Sequence, residues 1–173
     1  MFVQSPGRPL PLVQAARNGY WRVGEVLAVS APELLIQPLE FGNSFLKLAA
    51  RAKQIDMIRS IAVKAPRVFA AYVDECRNMA HFAAEEGYVE LLELVGEFAP
   101  PLMGDRTLSD RDPWTPAVFA AYYKKWEALK VIAKHAPQSV TTVHPFLHGS
   151  PLGYMRAHDA PADVIQEVER LCR

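Results

Sequence analysis

Asn78-Met79-Ala80-His81-Phe82-Ala83-Ala84-Glu85-Glu86-Gly87-Tyr88-Val89-Glu90-Leu91-Leu92-Glu93-Leu94-Val95 decides how this chain is built. A polar cap opens it, a short helix carrying Ala83-Ala84 follows, and Gly87 breaks that helix. A second helix then places apolar residues at 89, 91, 92, 94 and 95. The same plan recurs on both sides. The alanine pair appears as Ala15-Ala16, Ala49-Ala50, Ala83-Ala84 and Ala120-Ala121, at steps of 34, 34 and 37 residues. Ala-Pro keeps the same steps at Ala31-Pro32, Ala65-Pro66, Ala99-Pro100 and Ala136-Pro137. Two markers locked in phase define a repeat array.

Working outward, the residues before the first helices are Ser44, Asn78, Thr115 and Ser150. Each is an N-cap type whose side chain accepts an orphan backbone N–H. Pro116 and Pro151 follow at the first helical position, where the missing N–H costs nothing. Leu10 stands in the cap slot of repeat 1. Gly19 and Gly87 fall where the first helix stops, a place that often needs positive φ. Lys53, Lys124 and Asp159 occupy that slot elsewhere, and each is expected to cost about 1 kcal/mol there. The second helices carry apolar residues at helical spacing, as in Met57, Ile58 and Ile61 or Leu91, Leu94 and Val95. Ala-Pro ends them, because proline disfavours the helical conformation just before itself. The paired alanines let neighbouring units approach closely. Arg156 replaces the second alanine in the fifth unit, as a terminal cap requires. A lone unit of about 34 residues cannot offset an ordering cost of roughly 1.5 kcal/mol per residue, so burial must come from stacking.

Composition narrows function by exclusion. Lys plus Arg and Asp plus Glu are 19 each, so no long-range field favours nucleic acid or an anionic membrane. The N-terminal stretch lacks the apolar run of a secretory signal, and no segment is long enough to span a bilayer. Cys76 and Cys172 form no zinc or redox spacing and are expected as free thiols, which points to a cytoplasmic setting.

These motifs resemble the ankyrin repeat, roughly T-P-L-H-x-A-A-x-x-G-H-x-x-V-V-x-L-L. Residues 78–92 match best, and Thr115-Pro116 and Ser150-Pro151 restore the T-P start. Only repeat 3 keeps the His, Tyr20 and Tyr88 stand where the family has its second His, and Ala-Pro replaces the Gly-Ala-Asp before the finger. The resemblance implies an all-α solenoid of about five helix–turn–helix repeats with loop or β-turn fingers and degenerate terminal caps. It is expected as a single domain over 1–173, with repeats near 8–41, 42–75, 76–112, 113–147 and 148–173. It also implies a non-enzymatic scaffold, monomeric when unbound, that recognises another protein through a concave groove of first helices and fingers. The alternative is an inhibitor or exported effector that docks on an enzyme and blocks or recruits it.

Carried over position by position, the groove takes Arg8, Asn43, Glu75, Arg77, Asp112 and Trp114 from the finger tips. The first helices add Arg17, Asn18, Arg51, Ala52, Glu85, Glu86, Tyr122, Tyr123 and His158. This face reads basic at repeats 1–2, acidic at repeat 3 and aromatic at repeat 4. Trp114, Tyr122 and Tyr123 are the expected anchors, since aromatic and Arg side chains dominate interfaces. The slot of Trp21, Ile55, Val89 and Trp126 is apolar throughout and is expected to pack inward. Asp74, Glu75, Glu85, Glu86, Glu90, Glu93 and Glu97 face one base, Arg77, and read as a solvated acidic face or a site for a basic partner. The three extra residues fall within 101–113, an enlarged finger or a tolerated insertion, where Thr107 and Ser109 are candidate phosphorylation sites.

Catalytic and cofactor chemistry is not expected. His81 and Glu85 stand four apart on a helix, but the resemblance makes His81 a structural residue of the helix start. His144, His148 and His158 lack a ligand spacing, Cys76 has no general base at a known distance, and Asp105, Asp110 and Asp112 lack the rest of a calcium loop. No metal, cofactor or catalytic residue is assigned.

Overall fold

The computed structural model describes residues 11–37, 39, 43–71, 73–74, 76–108 and 113–173. Five antiparallel helix pairs follow one another along them. They are α1 (Pro11–Arg17) with α2 (Arg22–Ser30), α3 (Phe45–Arg51) with α4 (Ile55–Lys64), and α6 (Met79–Glu86) with α7 (Val89–Phe98). The last two are α8 (Pro116–Tyr122) with α9 (Trp126–His135), and α11 (Pro151–Ala157) with α12 (Ala162–Leu171). First helices pack on first helices, as α1 on α3, α6 on α8 and α8 on α11. Second helices do the same, as α2 on α4, α4 on α7, α7 on α9 and α9 on α12. The close contacts therefore join neighbours, which is the pattern of a solenoid.

Local chemistry sets the helix ends. The side chains of Ser44, Asn78, Thr115 and Ser150 accept the backbone N–H three residues on, from Lys47, His81, Val118 and Gly153. Leu10, the expected exception, lies outside the described residues. Gly19 and Gly87 have φ of 73° and 71°, and Lys53, Lys124 and Asp159 are held at 54°, 55° and 59°. The left-handed slot is thus conserved as geometry where its residue type is lost. At the other end of each unit, Ala31, Ala65, Ala99 and Ala136 leave the helical region just before proline, with φ between −158° and −137°.

Proline there does more than stop a helix. It starts a short helical turn: Pro32–Leu35 and Pro100–Met103 as 3-10 turns, α5 (Pro66–Phe69) and α10 (Pro137–Thr141) as single α-turns. Leu35, Phe69, Met103 and Val140 drop from these turns into the core with no exposed surface. Each finger is then closed by a backbone hydrogen bond, from Leu39 N–H to Asn43 O, Val73 to Arg77, Thr107 to Trp114 and His144 to Gly149. The stem pairs keep the repeat period, and the three extra residues fall between Thr107 and Trp114.

The paired alanines lie where units meet. Ala49, Ala83, Ala84, Ala120 and Ala121 have no exposed surface. The second helices hold a matching small-residue slot at Ala28, Ala62, Gly96 and Ala133, all buried. At Gly96 an added Cβ would meet the His135 ring at 2.4 Å, so the next unit rests directly on this backbone. Larger residues fill between, among them Phe45, Leu46, Ile58, Phe82, Leu91, Leu94 and Ile132. Burial of each such side chain contributes about 1.5–3 kcal/mol. Trp21, Ile55, Val89 and Trp126 do turn inward, but as half-buried residues against the core; Trp21 meets Phe45 at 5.8 Å between ring centroids. In the fifth unit Arg156 pairs with Glu169 through Nε and Nη2 at 3.0 and 2.7 Å. Among the described residues no helix is long and apolar enough to cross a membrane.

The strained left-handed lysines make a direct test. Lys124 is held at positive φ in an exposed position, so Lys124→Gly is expected to raise stability by about 1 kcal/mol, roughly 3 °C in Tm by calorimetry. Overpacking the junction through Ala84→Leu should lower stability by about 1–3 kcal/mol.

Candidate functional site

The face formed by the first helices and finger stems gathers most of the residues expected at a partner site. Arg17, Asn18, Arg51, Ala52 and Glu86 are exposed, while Asn43, Arg77, Glu85, Trp114 and His158 are half-buried. Arg8, Glu75 and Asp112 lie outside the described residues. The repeat brings equivalents into line: Arg17, Arg51, Glu85 and Tyr122 share one slot, and Asn43, Arg77 and Trp114 share another.

At the repeat 4 end an aromatic cluster forms around Trp114. Its ring lies 5.0 Å from Phe119, 5.4 Å from Tyr122 and 4.7 Å from Phe146. Tyr122 in turn meets Tyr123 at 5.0 Å and Phe146 at 5.2 Å. Tyr122, Tyr123 and Phe146 stay 41%, 43% and 45% exposed. The Trp114 ring packs within the cluster while its main chain closes the finger. Phe146 joins from the turn Pro145–Leu147. His158 turns to its own helix instead, stacking on Tyr154 at 3.7 Å and 12°.

The face is positioned by the residue three after each N-cap. In repeat 3 this is His81, fully buried. Its Nδ1 accepts the Asn78 N–H at 3.3 Å and its Nε2 donates to the Trp114 carbonyl at 3.0 Å. Burial pushes the imidazole down to about 4, against the weaker opposing pull of its carbonyl partners. In repeat 2 the same slot holds Lys47, buried, whose Nζ donates to Asp74 at 2.8 Å. Burial alone would raise the Asp74 carboxyl. Lys47, the N–H groups of Cys76 and Arg77, and the Arg77 guanidinium at 2.9 Å together hold it below the usual carboxylate value. Arg77 also bonds Glu85. These two fingers are thus tethered to the unit before them.

Four of the seven acidic residues read along repeat 3 are ion-paired. Glu97 pairs with Arg59 at 2.8 Å, Glu93 with Lys134 at 3.1 Å, Asp74 with Lys47 and Arg77, and Glu85 with Arg77. The partners come from neighbouring units, so a count of local charges missed them. Thr107, a phosphorylation candidate, is buried, and its Oγ1 accepts the Trp114 N–H at 3.0 Å, so its hydroxyl is structural.

Two hollows open beside this face. One, of about 350 Å³, lies between α1 and α3 with Arg17 and Arg51 among its walls. The other, about 710 Å³, lies between the base of the 104–113 finger and α10, and includes Arg106, His135 and His144. Among the described residues no group of three His, Cys, Asp or Glu is placed to hold a metal ion. Cys76 and Cys172 are half-buried and not joined in a disulfide, and burial pushes the Cys172 thiol up.

No family model and no curated protein matches the sequence. Among solved structures, the crystal structure of an ankyrin repeat protein superimposes with a TM-score of 0.66. The match covers 93% of this chain and 78% of that one, at 15% identity. An identity so low speaks for the fold alone, and the fold is that of an all-α ankyrin-repeat solenoid.

His81 gives the site a pH signature. The unfolded imidazole titrates near 6.5 and the folded one near 4, so the neutral form is favoured by folding. Its contribution is complete above pH 6.5 and falls away as pH drops towards 4, by about 3 kcal/mol in all. Urea unfolding across this range should show the loss in the wild type. His81→Gln, which can still form a capping box, should show a flatter profile.

Proposed function

We propose that this chain is a non-enzymatic recognition module that holds a partner protein in the groove between its first helices and fingers. The aromatic residues of repeat 4 act as the anchor. The ankyrin-repeat fold is one that typically serves protein–protein interaction. The observation that carries the reading is the cluster of Tyr122, Tyr123 and Phe146, exposed side by side over Trp114. A folded chain leaves few such clusters open to water unless something covers them. Rigid aromatic rings lose little entropy on binding and are common hot spots. The charged residues Arg17, Arg51 and Glu86 form the outer part of the same face and supply selectivity rather than affinity.

Affinity capture with the wild type and with Tyr122→Ala/Tyr123→Ala and Trp114→Ala/Tyr122→Ala tests this. Partner affinity should fall by about 2 kcal/mol or more, roughly thirtyfold, with far-UV circular dichroism unchanged. The tyrosine pair is the cleaner variant, because Trp114 also packs on Phe119. A captured partner held equally well by both variants would reject the aromatic anchor.

A further inference from the structure

We propose that this chain self-associates through its first unit, two copies meeting face to face along α1 and α2 about a two-fold axis. The surface is separate from the groove and goes beyond the reading above.

Each unit has one side turned towards the unit before it. In units 2 to 5 that side is covered. The slot of Val23 holds Met57, Leu91, Ala128 and Val164, all buried, and a Cβ added at Gly24 would meet the Met57 sulfur at 2.9 Å. The slots of Leu12, Ala15 and Leu27 are likewise filled by buried residues in every later unit. In the first unit these four residues are half-buried, and the side they form is still apolar. Beside them Val26 is 65% exposed, although Leu94 and Val131 in the same slot are buried. Tyr20 is 64% exposed, whereas its equivalent Tyr88 lies under the Lys53 ammonium of the unit before, 5.7 Å from the ring centre. Among the described residues nothing lies over this side of the first unit. A contiguous apolar surface of this kind marks a place of contact.

Two properties make a second copy the occupant. The first is the charge at the edge. Arg22 and Glu25 lie about one turn apart on α2, carry opposite signs, and have no ion-pair partner among the described residues. An antiparallel α2–α2 contact pairs Val23 with Val26 of the other copy and sets Arg22 within a turn of the other's Glu25. The symmetry makes the same pairing twice, so the surface complements itself. The second property is that head-to-tail packing between copies is closed. Where earlier units offer alanine or glycine to the next, the fifth carries Arg156 and Glu169, bonded to each other. The first unit of another copy cannot settle there as neighbours do, and the association stops at two chains. Covering the apolar side and its charged edge on both copies removes on the order of 1,000 Å² from water, about the least a stable interface needs.

Sedimentation velocity of the full chain, from roughly 1 μM to 1 mM, tests this. The protein should reach the mass of two chains and not exceed it. Val26→Glu, at an exposed position, should weaken the dimer at least about tenfold with far-UV circular dichroism unchanged. Arg22→Glu should weaken it by about fivefold, and Arg22→Glu/Glu25→Arg should restore it, because opposite signs face each other again. Tyr122→Ala/Tyr123→Ala should leave it intact. Single-chain mass throughout would overturn the proposal, whether residues 1–10 or nothing covers the first unit. So would growth beyond two chains, a dimer indifferent to Val26→Glu, or no restoration by the double swap. Loss of the dimer in the tyrosine variant would place the contact on the aromatic face, and would overturn the proposal equally.

Discussion

The distance between one helix pair and the next is set by side chains that are barely there. Ala83 and Ala84 on α6 face Ala120 and Ala121 on α8, and none of the four keeps any exposed surface. Bulk at these positions would hold the backbones apart, and the larger residues around them would lose the contacts that make an interior dense. On the second helices Ala62, Gly96 and Ala133 do the same work, with His135 lying against the Gly96 backbone. A unit of this size has too little apolar surface to fold alone. The spacing fixed by small residues therefore decides whether the array folds at all, and through the fingers it decides where the exposed face lies.

That second step uses one position in three chemical forms. Three residues after the N-cap, Lys47 reaches a carboxylate in the following finger, and His81 reaches a carbonyl in the one after. In repeat 4 the position is Val118, and an apolar contact takes over: Val118, Ala121 and Leu147 pack together, with Trp114 and Tyr154 against them. The ionic version is the costliest to build, since both charges leave water. It is tolerated because Asp74 also receives two backbone N–H groups and Arg77. The common task of all three is to fasten a loop to the unit before it, and this holds Arg77 and Trp114 on the outer face.

What could be read from the chain follows from which interactions are local. The caps Ser44, Asn78, Thr115 and Ser150, the left-handed slot and the Ala-Pro break each depend on a few consecutive residues, so they were legible, including the strain at Lys53, Lys124 and Asp159. The helical turns opened by Pro66 and Pro137 were not, because the proline looked only like a stop signal; the buried Phe69 and Val140 that follow were the available clue. The ion pairs of Glu93 and Glu97 join residues about one repeat apart, and a count of neighbouring charges cannot see them. Phe146 lies in a finger, outside the helical periodicity that marked the other face residues, so it was not singled out. The same drift from consensus, with a single histidine of the T-P-L-H type left at His81, explains why the fold is recognisable by shape while the sequence matches no family model.

Nearest-neighbour packing has a thermodynamic corollary for the two ends of the molecule. A ligand can alter affinity at a distance only by biasing an element that both sites share. Here the side formed by α1 and α2 and the rings on α8 are separated by two whole units, with no helix common to both. Two binding events, one at each extremity, would therefore proceed with free energies that simply add. A single bivalent target would gain from the tether between its own motifs, as an effective concentration, rather than from any signal passed along the protein.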